Sequence, residues 1–275
     1  MNYVKKTQLE KIVKSALRED TGKKDITTEL IIPENKSVKA VLLAKEDCLI
    51  CGLEVALLVF KAQDKNIKFK PLVQEGSLIK KGKIIAYVSG KAKNILAAER
   101  VALNFLSLLS GIATTTRKYV KAVKPFEVKI LDTRKTIPGL RLLEKYAVRT
   151  GGGFNHRLSL DEMVLVKDNH LKVIGGLKKL PKTKTSYKVE IEVKSLKEFK
   201  GALGLKPDII MLDNMNIETI KKAAKIRGCL PLKLEVSGGI TLKNVKRAAS
   251  TGVDMISIGA LTHSVNSVDM SLEIL

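Results

Sequence analysis

The chain has 275 residues, a hydrophobic fraction of 45% and a formal net charge of +22. That length suits one large or two modest globular domains. No run of about 18 apolar residues offers a membrane span, and the charged, helix-like start from Met1 to Lys14 lacks the apolar centre of a signal peptide. The positive excess is mostly Lys, scattered along the chain, with no Trp and few aromatics to stack bases. These features argue against nucleic acid as a partner and for a solvated surface that speeds capture of small polyanions.

Apolar spacing at Leu9, Ile12, Val13, Ala16 and Leu17 predicts a helix over residues 4–20, ended by Thr21-Gly22. From Ser37 to about Gly90 the texture is β, with strands expected at 38–44, 67–70, 77–79 and 84–88 and a helix over 54–60. Residues 75–85 read as strand–turn–strand around Lys81-Gly82, where glycine tolerates positive φ. Cys48 and Cys51 form a C-x-x-C pair, but no second pair or nearby His completes a metal set. The three cysteines are read as free thiols of a protein from a reducing cytoplasm. A strongly apolar helix follows from Asn94 to Leu109. Gly111 is expected to break it, with a second helix from Ile112 to Val123 ending before Pro125. A domain boundary is placed here, giving domains 1–110 and 111–275, with the C-terminal tail able to pack on the first.

After Pro125 short apolar strands alternate with amphipathic helices. The strands are expected at 127–131, 162–167, 187–193, 208–212, 232–236 and 254–258. Pro138 fits the first turn of a helix, Ser195 and Glu198 make a capping box, Asn216 caps 217–226 before Gly228, and Thr241 caps 242–249 before Gly252. Repeated strand–helix units imply parallel strands joined by right-handed crossovers. Six strands are too few for a closed eight-stranded barrel. The fold class is α/β, with an open, incomplete α/β barrel as first reading and a doubly wound sheet as second.

Each of the six strands ends in a polar or glycine-rich signal, as expected where barrel loops converge on one mouth. The first delivers Arg134 and Lys135 and the second Lys167. The third carries Glu190 and Glu192, and the fourth delivers Asp213 with Asn214. The fifth delivers Ser237-Gly238-Gly239 and the sixth Gly259-Ala260. Ser237 to Thr241 leads toward a helix, so its backbone N–H groups and the helix N-terminus read as a phosphate grip. Glu192 and Asp213 on adjacent strands suggest Mg²⁺ shared with substrate oxygens. Glu190 and Glu192 share a face of their strand, so either can be the ligand; Glu192 lies nearer the strand's C-terminal end. Arg134, His156, Arg157 and Lys167 read as a second anion pocket, since Arg grips carboxylates bidentately. His170 is read as a cap for the following helix and His263 as a holder of the terminal loop. Arg100, on the apolar helix, must find a partner or reach solvent.

These motifs, in this order from the first helix to Gly259-Ala260-Leu261-Thr262-His263-Ser264, resemble those of the quinolinate phosphoribosyltransferases, also called nicotinate-nucleotide pyrophosphorylases (carboxylating). The resemblance implies an N-terminal α/β sandwich domain, an open α/β barrel and paired subunits. It implies transfer of phosphoribose from 5-phosphoribosyl 1-pyrophosphate to quinolinate with loss of carbon dioxide, a step of NAD biosynthesis that uses Mg²⁺. It also implies that Arg134, His156, Arg157 and Lys167 hold the quinolinate carboxylates, with Thr133 beside them. Lys135, Glu192 and Asp213 fall to the phosphoribosyl donor and the metal as catalytic residues. Ser237, Gly238, Gly239, Gly259 and Ala260 fall to its 5-phosphate, and Arg100 reaches the site of a neighbouring subunit. The complete Arg134, His156, Arg157 and Lys167 set argues against relatives of the same fold that act on another acceptor.

Overall fold

A computed structural model describes residues 6–181 and 185–275. The chain divides into two compact units, one of Met1–Arg117, Ile137–Gly152 and Ser264–Leu275, the other of Lys118–Thr136 and Gly153–His263.

The first unit begins with α1 (Lys6–Thr21), which buries Leu9, Val13 and Leu17 on one stripe; positions 4 and 5 of the expected helix, like the rest of Met1 to Lys5, lie outside the described residues. After α2 (Ile26–Ile31) come β1 (Ser37–Ala44), β2 (Cys48–Leu49), α3 (Leu53–Gln63), β3 (Lys68–Pro71), β4 (Leu78–Ile79) and β5 (Ile84–Lys91). The main sheet runs in the order β12-β1-β5-β3, with β12 (Met270–Ile274) supplied by the C-terminal tail antiparallel to β1. The expected strand–turn–strand at 75–85 does not pair with itself: β4 joins β2 and β5 joins β1. Gly82 at φ +81° turns the chain between them, and its N–H donates to Ala44 O at 2.8 Å. Cys48 and Cys51 are buried free thiols. Burial, then the nearby charges of Glu46 and Asp47, pushes Cys48 up to about 11, far from nucleophilic use.

The two helices expected around Gly111 are one, α4 (Ala92–Val123). Gly111 does not break it because a glycine in a helix costs only about 1 kcal/mol, and here tight packing requires one. A Cβ at Gly111 would collide with the carbonyl of Asn266 in the C-terminal tail. By length and composition α4 could cross a membrane, but 61% of its most apolar window is buried in the protein. Its apolarity is that of a core helix. α5 (Arg141–Thr150) starts three residues later than Pro138 suggested. Residues 137–140 form a turn whose Leu140 N–H donates to Ile137 O, and the buried Glu144 carboxylate accepts the Ile137 N–H.

The second unit holds six parallel strands: β6 (Lys129–Leu131), β7 (Val164–Val166), β8 (Val189–Val193), β9 (Ile209–Asp213), β10 (Lys233–Ser237) and β11 (Met255–Ser257). Their order is β6-β11-β10-β9-β8-β7, and every neighbouring pair is parallel. The first and second strands of the series therefore stand at opposite edges. A doubly wound sheet would place its first strand internally; this order belongs to a barrel opened between its first two strands. The crossover helices are α6 (Asp168–Ile174), α7 (Leu196–Leu203), α8 (Ile217–Arg227) and α9 (Val245–Ala249), with α10 (Ala260–His263) closing the series. Ser195 caps α7 by accepting the Glu198 N–H, and Glu198 returns to the Lys194 N–H. Asn216 caps α8 through the Thr219 N–H. α9 begins at Val245, later than expected, because Thr241 is drawn into a turn by its N–H donating to Asn244 Oδ1 at 2.8 Å. His170 sits in the first turn of α6 and caps that helix from within, its Nδ1 accepting the Lys167 N–H at 3.0 Å.

Candidate active site

A cavity of about 720 Å³ opens at the C-terminal ends of these strands. Of the sequence-predicted site residues, Thr133, Arg134, Lys135, His156, Arg157, Lys167, Glu192, Asp213, Ser237, Gly238, Gly239, Gly259 and Ala260 all line it. Glu190 does not: it lies wholly buried and belongs to a layer behind the cavity wall. Arg100 is an exposed residue of α4 in the other unit.

The acceptor-side wall is assembled by Asp132, a residue the sequence reading passed over. Its carboxylate is fully buried; it accepts the His156 N–H at 2.9 Å and the Asn155 side-chain amide at 2.5 Å. The Asp132 N–H donates to Phe154 O, and Phe154 N–H donates to Ile130 O. Leu131 and Phe154 form an isolated parallel bridge beside β6. This ladder fixes the segment carrying His156 and Arg157 at the otherwise unpaired edge of the first strand. The available signal was an acid placed directly between an apolar strand and a cationic loop.

Arg157 is 8% exposed and donates from Nη1 to Met163 O at 3.0 Å. Burial, then the Arg134 charge, pulls its pKa below the ordinary guanidinium value, while Glu190 opposes the fall. His156 Nδ1 accepts the Arg157 N–H at 2.8 Å. Lys167 donates from Nζ to Glu192 Oε2 at 2.5 Å, so the second cation of this wall starts out paired with an acid of the same cavity.

The donor-side rim is built from close backbone approaches. Thr133 Oγ1 accepts the Lys135 N–H at 3.0 Å, and Thr262 Oγ1 donates to Lys135 O at 2.7 Å, which sets the loop that presents the Lys135 ammonium. A Cβ at Gly259 would press on the His263 ring and the Lys135 side chain, each about 3.0–3.1 Å away. His263 thus lines the site rather than only the terminal loop. Asn214, expected beside Asp213 at the end of the fourth strand, adopts φ +53° and donates from Nδ2 to Asp213 Oδ2 at 2.9 Å. Asn is among the few residues that tolerate this left-handed conformation. Gly238 has φ +90°. The Asn244 side chain donates to Gly239 O at 2.9 Å, tying down the far end of the glycine loop. Since α9 starts only at Val245, an anion here would be met by loop N–H groups rather than by the N-terminus of that helix.

The cavity therefore joins a wall of cations, suited to carboxylates, to a glycine rim suited to phosphate, with two carboxylates between. The sequence profile of the quinolinate phosphoribosyl transferase C-terminal domain matches residues 112–273, and that of its N-terminal domain matches residues 25–110. A probable nicotinate-nucleotide pyrophosphorylase (carboxylating) of Methanocaldococcus jannaschii is 45% identical over 276 residues, 96% of each chain. One from Bacillus subtilis is 38% identical, over 100% of this chain and 95% of its own. The solved nicotinate-nucleotide pyrophosphorylase of Francisella tularensis superposes with a TM-score of 0.92 at 40% identity, covering 100% of this chain and 98% of its own. The chain belongs to the quinolinate phosphoribosyltransferase family.

Proposed function

We propose that this chain transfers the phosphoribosyl group of 5-phosphoribosyl 1-pyrophosphate to the nitrogen of quinolinate and releases pyrophosphate and carbon dioxide, giving nicotinate mononucleotide for NAD biosynthesis. One observation carries the reading: Arg134, Arg157 and Lys167 share a single cavity with the glycine turns at 237–239 and 259, so one mouth can take a dicarboxylate and a phosphorylated sugar together.

Arg134, Arg157 and Lys167 hold the two carboxylates of quinolinate, with His156 and Thr133 in the same wall. Backbone N–H groups of Ser237 to Gly239 and of Gly259-Ala260 hold the 5-phosphate. Lys135 lies against the leaving pyrophosphate, where a fixed ammonium offsets the charge that develops as the C1–oxygen bond breaks. Glu192 and Asp213 stabilise the positive charge that builds on the ribose ring. The pyridine nitrogen attacks C1, and no covalent protein nucleophile is required. Departure of the adjacent carboxylate as carbon dioxide leaves its electron pair on C2, stabilised by the neighbouring pyridinium nitrogen, and a proton taken up at C2 completes nicotinate mononucleotide. Closing water out of the pocket strengthens each of these charge interactions.

Mg²⁺ is the proposed cofactor. Glu192 and Asp213 end neighbouring strands and line the same cavity, and two hard carboxylates with room for substrate oxygens fit a dication that binds through few protein ligands. These two residues would hold it, and it would supply charge neutralisation on the diphosphate. The active species is proposed to be a homodimer or an assembly of dimers. In it, Arg100, exposed on α4, reaches the neighbouring subunit's quinolinate. The proposed compartment is the cytoplasm, in keeping with buried free thiols. The test is incubation with quinolinate, 5-phosphoribosyl 1-pyrophosphate and Mg²⁺, following nicotinate mononucleotide by mass and carbon dioxide from the 2-carboxylate. Product that depends on all three is expected; folded protein giving none would overturn the assignment.

A further inference from the structure

Behind the acceptor wall lies a cluster to which the proposed mechanism gives no task. Glu190 on β8 and Glu235 on β10 are 0% and 1% exposed. His156 Nε2 lies 3.1 Å from Glu190 Oε2 and 3.7 Å from Glu235 Oε1. Apart from the His156 ring, no well-aligned donor among the described residues meets the four carboxylate oxygens, and only Ser257 offers Glu235 some further hydrogen bonding. Two buried acids are costly unless something of opposite polarity faces them.

The three side chains bring their ligand atoms within 4.8 Å of one another, as a metal site would. The other ring nitrogen argues against that use. His156 Nδ1 accepts the backbone N–H of Arg157 at 2.8 Å, so it carries no proton, and the proton of the neutral ring sits on Nε2, toward the acids. A metal at Nε2 would need an imidazole stripped of both protons. The spot is filled by the ring's own proton.

We propose that Glu190 and Glu235 are positioning residues for the acceptor: they hold His156 by its Nε2 edge, and His156 holds the Arg157 backbone by its Nδ1 edge. The guanidinium of Arg157 is thereby set for a carboxylate before substrate arrives. Both nitrogens of His156 face protein groups, so its part in acceptor binding is exerted mainly through Arg157. A second observation agrees: Glu190 counters the loss of basicity that burial and Arg134 impose on Arg157, as a counter-charge beneath two crowded cations would. The inference rests on quinolinate being the acceptor.

The experiment compares wild type with Glu190→Gln and Glu235→Gln, which keep the shape and remove the charge, alongside His156→Ala and the Glu190→Gln/His156→Ala double variant. The expected result is a quinolinate KM raised about tenfold or more in Glu190→Gln, with the KM for 5-phosphoribosyl 1-pyrophosphate within about twofold of wild type. The double variant should be no worse than His156→Ala alone, because both act along one route. Labelled-histidine ¹⁵N spectra should show one Nε2-protonated ring at His156 in wild type and a mixture of tautomers in Glu190→Gln. The proposal is overturned by wild-type quinolinate KM in both Gln variants, by KM values for the two substrates rising together, or by stoichiometric metal in the purified protein that Glu190→Gln loses. Wild-type protein that makes no product would instead sink the assigned reaction, while the ¹⁵N spectra would still report on the brace.

Discussion

Asn214 occupies the space that a side chain at Gly238 would need: a Cβ there would run into the Asn214 carboxamide. The same carboxamide donates to Asp213, and the Asn214 N–H donates to Ser237 O at 2.9 Å. One residue thus joins the acidic and glycine-rich parts of the rim. Gly238→Ala should raise the KM for 5-phosphoribosyl 1-pyrophosphate at least about tenfold, since it combines a clash with a strained φ of +90°. The quinolinate KM should move far less. Steady-state kinetics with each substrate varied in turn will check this.

Lys167 and Glu192 neutralise each other across 2.5 Å, with Glu192 only 8% exposed. Lys167→Met strands a nearly buried carboxylate, but because the Lys167 side chain is 44% exposed the loss should be about 1–2 kcal/mol rather than that of a fully buried pair. The double variant Lys167→Met/Glu192→Gln should recover stability but not activity. Denaturant melts beside kcat/KM values separate the two effects.

Asp132 carries the seam beside the first barrel strand through its bonds to His156 N–H and the Asn155 amide. Asp132→Ala leaves both donors without their acceptor and should destabilise the protein by about 2–4 kcal/mol. Asp132→Asn should lose less, since an amide oxygen can still accept one of them. Urea unfolding of both variants gives the comparison.

Burial, then the charge of Glu190, pushes Glu235 up to about 7 from an ordinary value of 4.5. The folded state keeps a proton that the unfolded chain releases above that ordinary value. This contribution to stability is full at low pH and is lost as pH rises through about 7. Stability should therefore fall as pH rises across that window. In Glu235→Gln the slope should flatten. Thermal melts from pH 4 to 8 would show it, and an unchanged slope in the variant would sink the assignment.

Gly111→Ala places a methyl against the Asn266 carbonyl within the first unit. Backbone gives way less easily than a side chain, so the substitution should cost about 1–3 kcal/mol, although alanine favours helix. Hydrogen exchange should show the loss concentrated in β12, which lies just beyond Asn266.

The open barrel and the order of its strand-end residues were legible in the sequence because period and position carry them. A short apolar strand followed by Arg134-Lys135, by Lys167 or by Ser237-Gly238-Gly239 declares both the element and the rim. Caps at Ser195 and Asn216 were legible because their hydrogen bonds span only three residues. What the sequence left open depends on groups far apart along the chain. Gly111 reads as a helix breaker until Asn266 is seen beside it. Glu190 and Glu192 are equivalent by strand alternation; only packing buries the first against His156 and pairs the second with Lys167. Asp132 shows in the sequence only as an acid between an apolar strand and a cationic loop, and the duties of Asn214 and Glu235 are set by Gly238 and His156, which lie far from them along the chain. Local periodicity decides what each segment is, whereas the charge state and duty of a buried side chain are decided by neighbours that only the folded chain supplies.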